Sequence, residues 1–158
     1  MAGKEQMSRG AGLLAAATLG LAVFVADQLI KRLVETSMVL GESRPVVDDV
    51  LHITYIENSG GAFGLLADSQ LLLMVGSAVA LGVVAWMLIA QPPSRTMTIG
   101  GGLVLGGAAG NLLDRISAGG VTDYLDLRVW PIFNLADVAI VCGVALLVIN
   151  ALFAGDKG

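Results

Sequence analysis

The residues of this chain that can exchange protons or hold charge are few and unevenly spread. Thirteen carboxylates and nine Lys or Arg side chains sit in 158 residues that are 56% hydrophobic and only 14% charged. Soluble domains carry about 25% charged residues, so each ionisable group here needs a reason. Two Asn–Asp pairs repeat one spacing: Asn111-Leu-Leu-Asp114 and Asn134-Leu-Ala-Asp137. Residues three apart share a helix face, so each pair presents an amide and a carboxylate together. Asp123 and Asp126 lie between the pairs, while Asp27 and Lys31 stand four residues apart upstream, the spacing of a helical ion pair. Two carboxylates in one site cannot both ionise cheaply, so they share a proton. One then activates a water while the other, protonated, polarises a carbonyl. Spacing alone leaves open whether Asp114, with the cation Arg115 beside it, or Asp123 is the partner of Asp137.

Plainer roles exist for the same groups. Asp27 and Lys31 can simply neutralise each other at a membrane boundary. Lys31 with Ser37 or Ser59 has the composition of a serine–lysine peptidase. Buried carboxylates also mark ion-coupled transporters, which spread them through the membrane depth; here they gather at one end of the spans. Two further classes are disfavoured by composition. A single histidine (His52) and a single cysteine (Cys142) leave no metal-ligand set and no intrachain disulfide, and neither a metal nor another cofactor is expected. A net charge of −4 argues against a nucleic-acid partner. Cys142, inside an apolar run, reads as a small hydrophobe.

The elements that must position these groups are membrane helices. Four apolar stretches come close to the ~20 residues needed to cross the hydrocarbon, at about 12–33, 71–90, 97–113 and 134–153. The first is expected to remain as a span, because its apolar run is long and Asp27 and Lys31 stand toward its end, where a leader would carry small residues. Gly102, Gly106 and Gly110 form a small-xxx-small stripe for close helix contact in the third. QPPSRT after Ala90 makes a tight turn. The longer connector, about 39–66, holds the β-branched and aromatic run Val50–Ile56 and then the glycine-rich Asn58–Gly64. The fold expected is an all-α membrane protein, one domain of four transmembrane helices, with a small extramembrane β-cradle between helices 1 and 2. An even number of spans puts both termini on one side. Eleven of the thirteen acidic residues then fall on or near the opposite face, while basic residues divide four against five and do not set the orientation.

Five blocks in order resemble the lipoprotein signal peptidase family (signal peptidase II). They are Asp27-x-x-x-Lys31, Asn58-Ser-Gly-Gly-Ala-Phe63, Gly106-Gly-Ala-Ala-Gly-Asn-Leu-Leu-Asp-Arg115, Val121-Thr-Asp-Tyr124 and Phe133-Asn-Leu-Ala-Asp137. The resemblance implies an aspartic endopeptidase of the bacterial inner membrane. Its substrates would be diacylglyceryl-modified prolipoproteins, cut just before the lipidated cysteine. It implies that Asp123 and Asp137 are the catalytic pair, and that Asn111, Asp114, Arg115 and Asn134 support the site or bind substrate. Asn58 and Phe63 would belong to the cradle and loop that hold substrate, and Asp27 and Lys31 would brace the site from the first helix. Both termini would be cytoplasmic, the catalytic face would look to the outer leaflet, and a monomer among membrane lipids is expected. The chain departs from the family pattern at Gly61, where alanine is commoner, at Tyr124, where phenylalanine is usual, and in a rather short stretch between Asp123 and Asp137.

Overall fold

The third apolar segment is the least hydropathic of the four, and it is the one the others pack around. The computed structural model describes residues 7–59 and 70–154. It contains α1 (Arg9–Ser37), β1 (Ser43–Val47), β2 (Leu51–Asn58), α2 (Gln70–Ala90), α3 (Arg95–Ser117), β3 (Val121–Asp126) and α4 (Leu135–Ala154). All four helices are long and apolar enough to cross a membrane. The protein is thus a multi-pass membrane protein. Helix α3 packs against each of the other three, while α2 and α4 barely meet. Exposed leucines and valines on α1, α2 and α4, such as Leu21, Leu72 and Val141, face the space that lipid occupies.

Small residues let α3 hold this central place. An added Cβ at Gly102 would lie 2.8 Å from the Ala16 carbonyl oxygen, and one at Gly106 would collide with the Gly20 carbonyl of α1. The stripe at 102, 106 and 110 therefore lies against α1, as its spacing predicts. Gly107 and Gly143 serve the α3–α4 contact in the same way, through Ala136 and Gly100. In lipid, where tails are as apolar as leucine, such close backbone packing replaces the hydrophobic effect between helices. Gly106→Ala is expected to destabilise the fold by about 1–3 kcal/mol through overpacking against backbone that cannot yield. Gly76→Ala on α2, which meets nothing within 4 Å, is the control, with thermal unfolding in detergent as the measurement.

Caps fix where the helices begin. Ser8 Oγ accepts from Ala11 N at the start of α1, and Ser94 Oγ accepts from Met97 N at the start of α3. Helices α1 and α3 run one turn or so beyond the apolar cores read from sequence, because their polar ends are still helical. Asn134 is not the first residue of α4 but its cap.

The small sheet is antiparallel, in the order β1-β2-β3. Its first two strands come from the long α1–α2 connector, as expected. The third lies outside that expectation: Val121–Asp126 belongs to the α3–α4 connector and pairs with β2, Asn58 opposite Val121 and His52 opposite Asp126. The sequence signal is present, since Val121, Thr122 and Tyr124 are β-formers, but a six-residue strand has no meaning until a partner edge is placed beside it. The sheet rests on the end of α1 through Val34, Met38, Tyr55 and Tyr124. Beyond β3 the chain turns at Arg128 (φ 64°), whose N–H and guanidinium both bond Asp126, at 2.8 and 3.1 Å. It then returns so that Phe133 bonds Leu125 in both directions, at 2.7 and 3.1 Å. The short stretch between Asp123 and Asp137 is thus a strand folded back against its own exit. That return sets Asn134 beside Asp123.

Candidate active site

The amino end of α4 meets β3, α3 and α1 at one point, and the polar residues converge there. Asp123 is 2% exposed. Its Oδ2 accepts from the Asn58 amide at 2.8 Å and its Oδ1 from the Asn134 amide at 2.6 Å. Asp137 sits three residues into α4. Its Oδ1 accepts from Asn111 Nδ2 at 2.8 Å, and its Oδ2 from Asn134 N at 3.2 Å. Asn134 Oδ1 accepts in return from Asp137 N at 3.0 Å. This is a reciprocal cap, with a carboxylate at the third position reaching back to the capping residue.

Asn134 therefore touches both aspartates: its amide nitrogen holds Asp123, while its carbonyl oxygen and backbone N–H hold Asp137. The orientations of both amides follow from their neighbours. Asn111 Oδ1 accepts from Lys31 Nζ at 2.8 Å and from Asn134 Nδ2 at 3.2 Å, so its amide nitrogen must point to Asp137.

Behind this layer lies a buried charge cluster. Lys31 Nζ lies 2.8 Å from Asp27 Oδ2 and 2.6 Å from Asp114 Oδ2, with Lys31 and Asp27 fully enclosed. An ammonium has three N–H donors, and Asp27, Asp114 and Asn111 engage all three. Gln28 Nε2 holds the other oxygen of Asp114 at 2.8 Å. Asp27 Oδ1 accepts from Ala136 N at 3.0 Å, and Tyr124 Oη accepts from Leu135 N at 3.2 Å. The first three N–H groups of α4 are thus capped by Tyr124, Asp27 and Asn134, which satisfies donors the helix itself cannot. Gly110 is required here for space, since a Cβ would lie 2.6 Å from Asp27 Oδ2.

Several expectations can now be placed. Asp27, Lys31, Asn58, Asn111, Asp114, Asn134, Asp123 and Asp137 form one connected hydrogen-bonded network. Asp27 and Lys31 do more than neutralise each other at a boundary, because they hold α3 and α4 in register. Asp114 turns toward Lys31 and Gln28. Among the described residues it pairs with Lys31, and not with its neighbour Arg115. Arg115 instead lines the cleft with Asp137 and Asp123 and bonds the Asn111 carbonyl at 3.3 Å. Phe63 and Gly61 lie outside the described residues. A serine–lysine pair is disfavoured: Ser37 Oγ bonds the Leu33 carbonyl at 2.6 Å, Ser59 is exposed, and the Lys31 donors are engaged. Sequence reasoning missed Gln28 and the hydroxyl of Tyr124. A glutamine beside Asp27 in an apolar helix was a readable signal for the first; the second needed the fold.

Asp123 and Asp137 open onto a cleft of about 370 Å³. Asn58, Asn111 and Arg115 supply its polar wall, and Leu73 of α2 with Ile140 and Val141 of α4 its apolar one. Burial pushes the Asp123 carboxyl up to about 6; the nearby negative charge of Asp137 adds to this, while the amides of Asn58 and Asn134 oppose it. Tyr124 is likewise raised by burial, to about 12, and stays a neutral phenol. Asp114 lies apart from this cleft, facing a second polar recess with Gln28, Lys31 and Thr122. Among the described residues no cluster of three or more His, Cys, Asp or Glu is arranged to hold a metal.

The family model of signal peptidase II matches residues 19–153. The chain is 46% identical over 132 residues to the lipoprotein signal peptidase of Halothermothrix orenii, covering 82% of this chain and 89% of that one. It is 44% identical over 142 residues to that of Moorella thermoacetica, covering 89% and 95%. Two solved structures described as bacterial membrane enzymes share the fold, with TM-scores of 0.84 and 0.79 at 28% and 29% identity. They cover 97% and 93% of this chain, and 94% and 96% of their own. On this agreement of sequence and fold, the chain belongs to the signal peptidase II family, a family of proteases.

Proposed function

We propose that this protein is an intramembrane aspartic endopeptidase, a single peptidase domain that removes the signal peptide from diacylglyceryl-modified prolipoproteins. The observation that carries the reading is the bridge through Asn134: two carboxylates on one cleft, each oriented by amides, joined by a residue that bonds both. Asp137 lies at the amino end of α4, where the helix dipole favours negative charge, and it acts as the base that takes a proton from water. Asp123 carries the proton and donates it to the scissile carbonyl oxygen. Water adds to the carbonyl carbon; the tetrahedral intermediate then collapses as the C–N bond breaks. The departing amine of the cysteine takes the proton held by Asp137 while a hydroxyl of the intermediate returns a proton to Asp123, which leaves a new carboxyl group on the signal peptide and the pair again with one proton. Asn111 and Arg115 line the wall where the substrate backbone lies. Relatives that bear the name lipoprotein signal peptidase support the substrate class. The site sits at one end of the helices, which suits cleavage at a membrane surface. The inner membrane, with cytoplasmic termini and the site toward the outer leaflet, is the setting proposed, and a monomer the working unit.

The purified protein with a lipidated precursor and its unlipidated twin tests this reading. Cleavage of neither sinks it, and equal cleavage of both removes the lipid requirement. The pH profile tests the roles. Asp123 is protonated below about 6 and ionised above it, so an acid at this position makes kcat/KM fall as pH rises through that value. A change in the other direction, with activity rising above pH 6, would give Asp123 the part of the base.

A further inference from the structure

Asp137 stands at the junction of two cavities. On one side is the cleft it shares with Asp123; on the other is an apolar groove of about 370 Å³ on the outer face of α4. Trp130, Phe133, Val141 and Asp137 line both. Leu127, Val138 and Cys142 line the groove alone. Apart from the Asp137 carboxyl and the Cys142 thiol its lining is hydrocarbon and aromatic.

The groove has a direction. Asp137 and Val141, and beside them Val138 and Cys142, are four residues apart on α4 and form two columns along the helix. On α4 it therefore follows the helix axis for about one turn, from the Asp137 carboxyl to Val141 and Cys142. Val141 is 68% exposed and Cys142 is exposed as well, so on a membrane helix this face opens to lipid. The wall opposite α4 is the returning segment after β3, held by the Arg128 turn and the Phe133 pairing described above.

We propose that this groove holds one acyl chain of the substrate's diacylglyceryl group. The inference rests on the function proposed above and adds to it where the lipid lies. The chemistry of the bond demands such a place. In a precursor cut just before a lipidated cysteine, only the cysteine's Cα, Cβ and sulfur separate the scissile nitrogen from the glyceryl carbon. The glyceryl group is then within a few bonds of the aspartates, and its chains must leave the site directly beside them. A passage that begins at Asp137, is apolar, and runs parallel to a lipid chain meets that requirement, while the cleft on the other side of Trp130 is left for the peptide.

The test compares precursors carrying two palmitoyl or two butyryl chains on the same peptide. With the native protein, shortening the chains raises KM at least about tenfold with kcat little changed, as expected for loss of apolar burial in binding. Val138→Trp and Cys142→Trp fill the groove without touching the cleft, and each raises KM for the palmitoyl form until the two precursors are equal. Unchanged discrimination in both variants overturns the proposal. The native thiol provides a readout that needs no variant. The palmitoylated product peptide slows the reaction of Cys142 with a maleimide, and the unlipidated peptide does not. Equal protection by both would give the groove to the peptide and overturn the lipid assignment. If the native protein cleaves neither lipidated precursor, the proposed function itself falls and the groove proposal with it; cleavage without chain-length discrimination overturns the groove alone.

Discussion

Under the proposed mechanism, Asp123→Asn and Asp137→Asn are each expected to reduce kcat/KM on a lipidated precursor by roughly 10⁴-fold, the size of loss seen when a residue acting within a catalytic unit is removed. The substitution keeps shape while removing the exchangeable proton. At Asp123 it also places an NH₂ group against one of two amide donors, Asn58 or Asn134, whichever way the new amide turns, since both carboxylate oxygens are acceptors there. A modest loss of stability, about 1–3 kcal/mol, accompanies the change, so folded protein remains to be assayed. Asp114→Asn is the informative contrast. Asp114 faces Lys31, Gln28 and the second recess rather than the cleft, and its loss lowers activity by no more than about tenfold, through looser placement of Asn111. Cleavage assays on the three variants, with gel filtration in detergent to establish folding, decide the matter. Full activity in Asp123→Asn together with none in Asp114→Asn would transfer the catalytic role.

The second large effect falls on stability. Lys31→Met leaves the buried Asp27 carboxylate, with Asp114 beside it, without the cation that both engage. Removing one member of a buried ion pair costs about 3–5 kcal/mol, because the remaining charge is uncompensated. At roughly 2–4 °C per kcal/mol for a chain of this size, the unfolding midpoint in detergent drops by about 10 °C. The loss is larger than deletion of one contact suggests, since Asp27 also caps α4 through Ala136 N and Lys31 fixes the Asn111 amide. Adding Asp27→Asn and Asp114→Asn to the Lys31→Met protein removes the stranded charges and recovers a substantial part of the stability, but not the activity that depends on Asn111. A Lys31→Met protein as stable as the native one would show that the cluster is not held as described.

Between these residues runs the line dividing what local sequence determines from what the fold decides. The helices were legible because crossing ~30 Å of hydrocarbon leaves few choices: every backbone group must be satisfied within the helix, so an apolar run of the right length can hardly be anything else. The Gly102, Gly106, Gly110 stripe was legible for a related reason, since close packing in lipid requires small residues at helical spacing. The two Asn–Asp pairs also announced themselves, as polar groups in an apolar chain.

Their partnership did not. The matched spacing of Asn111–Asp114 and Asn134–Asp137 suggested two equivalent pairs, whereas the structure separates them. Asn111 turns to Asp137, and Asp114 turns away to Lys31. Only the folded-back path of β3, with Phe133 bonded to Leu125, brings Asn134 to Asp123. The reason is geometric: periodicity states which face of an element a residue occupies, but rotation of α3 against α1 and the pairing of β3 with β2 determine what that face meets. The carboxylates with which this chain can do chemistry were evident from composition and spacing. Which two of them share a cleft is a property of packing, set where α1, α3 and β3 converge on the amino end of α4.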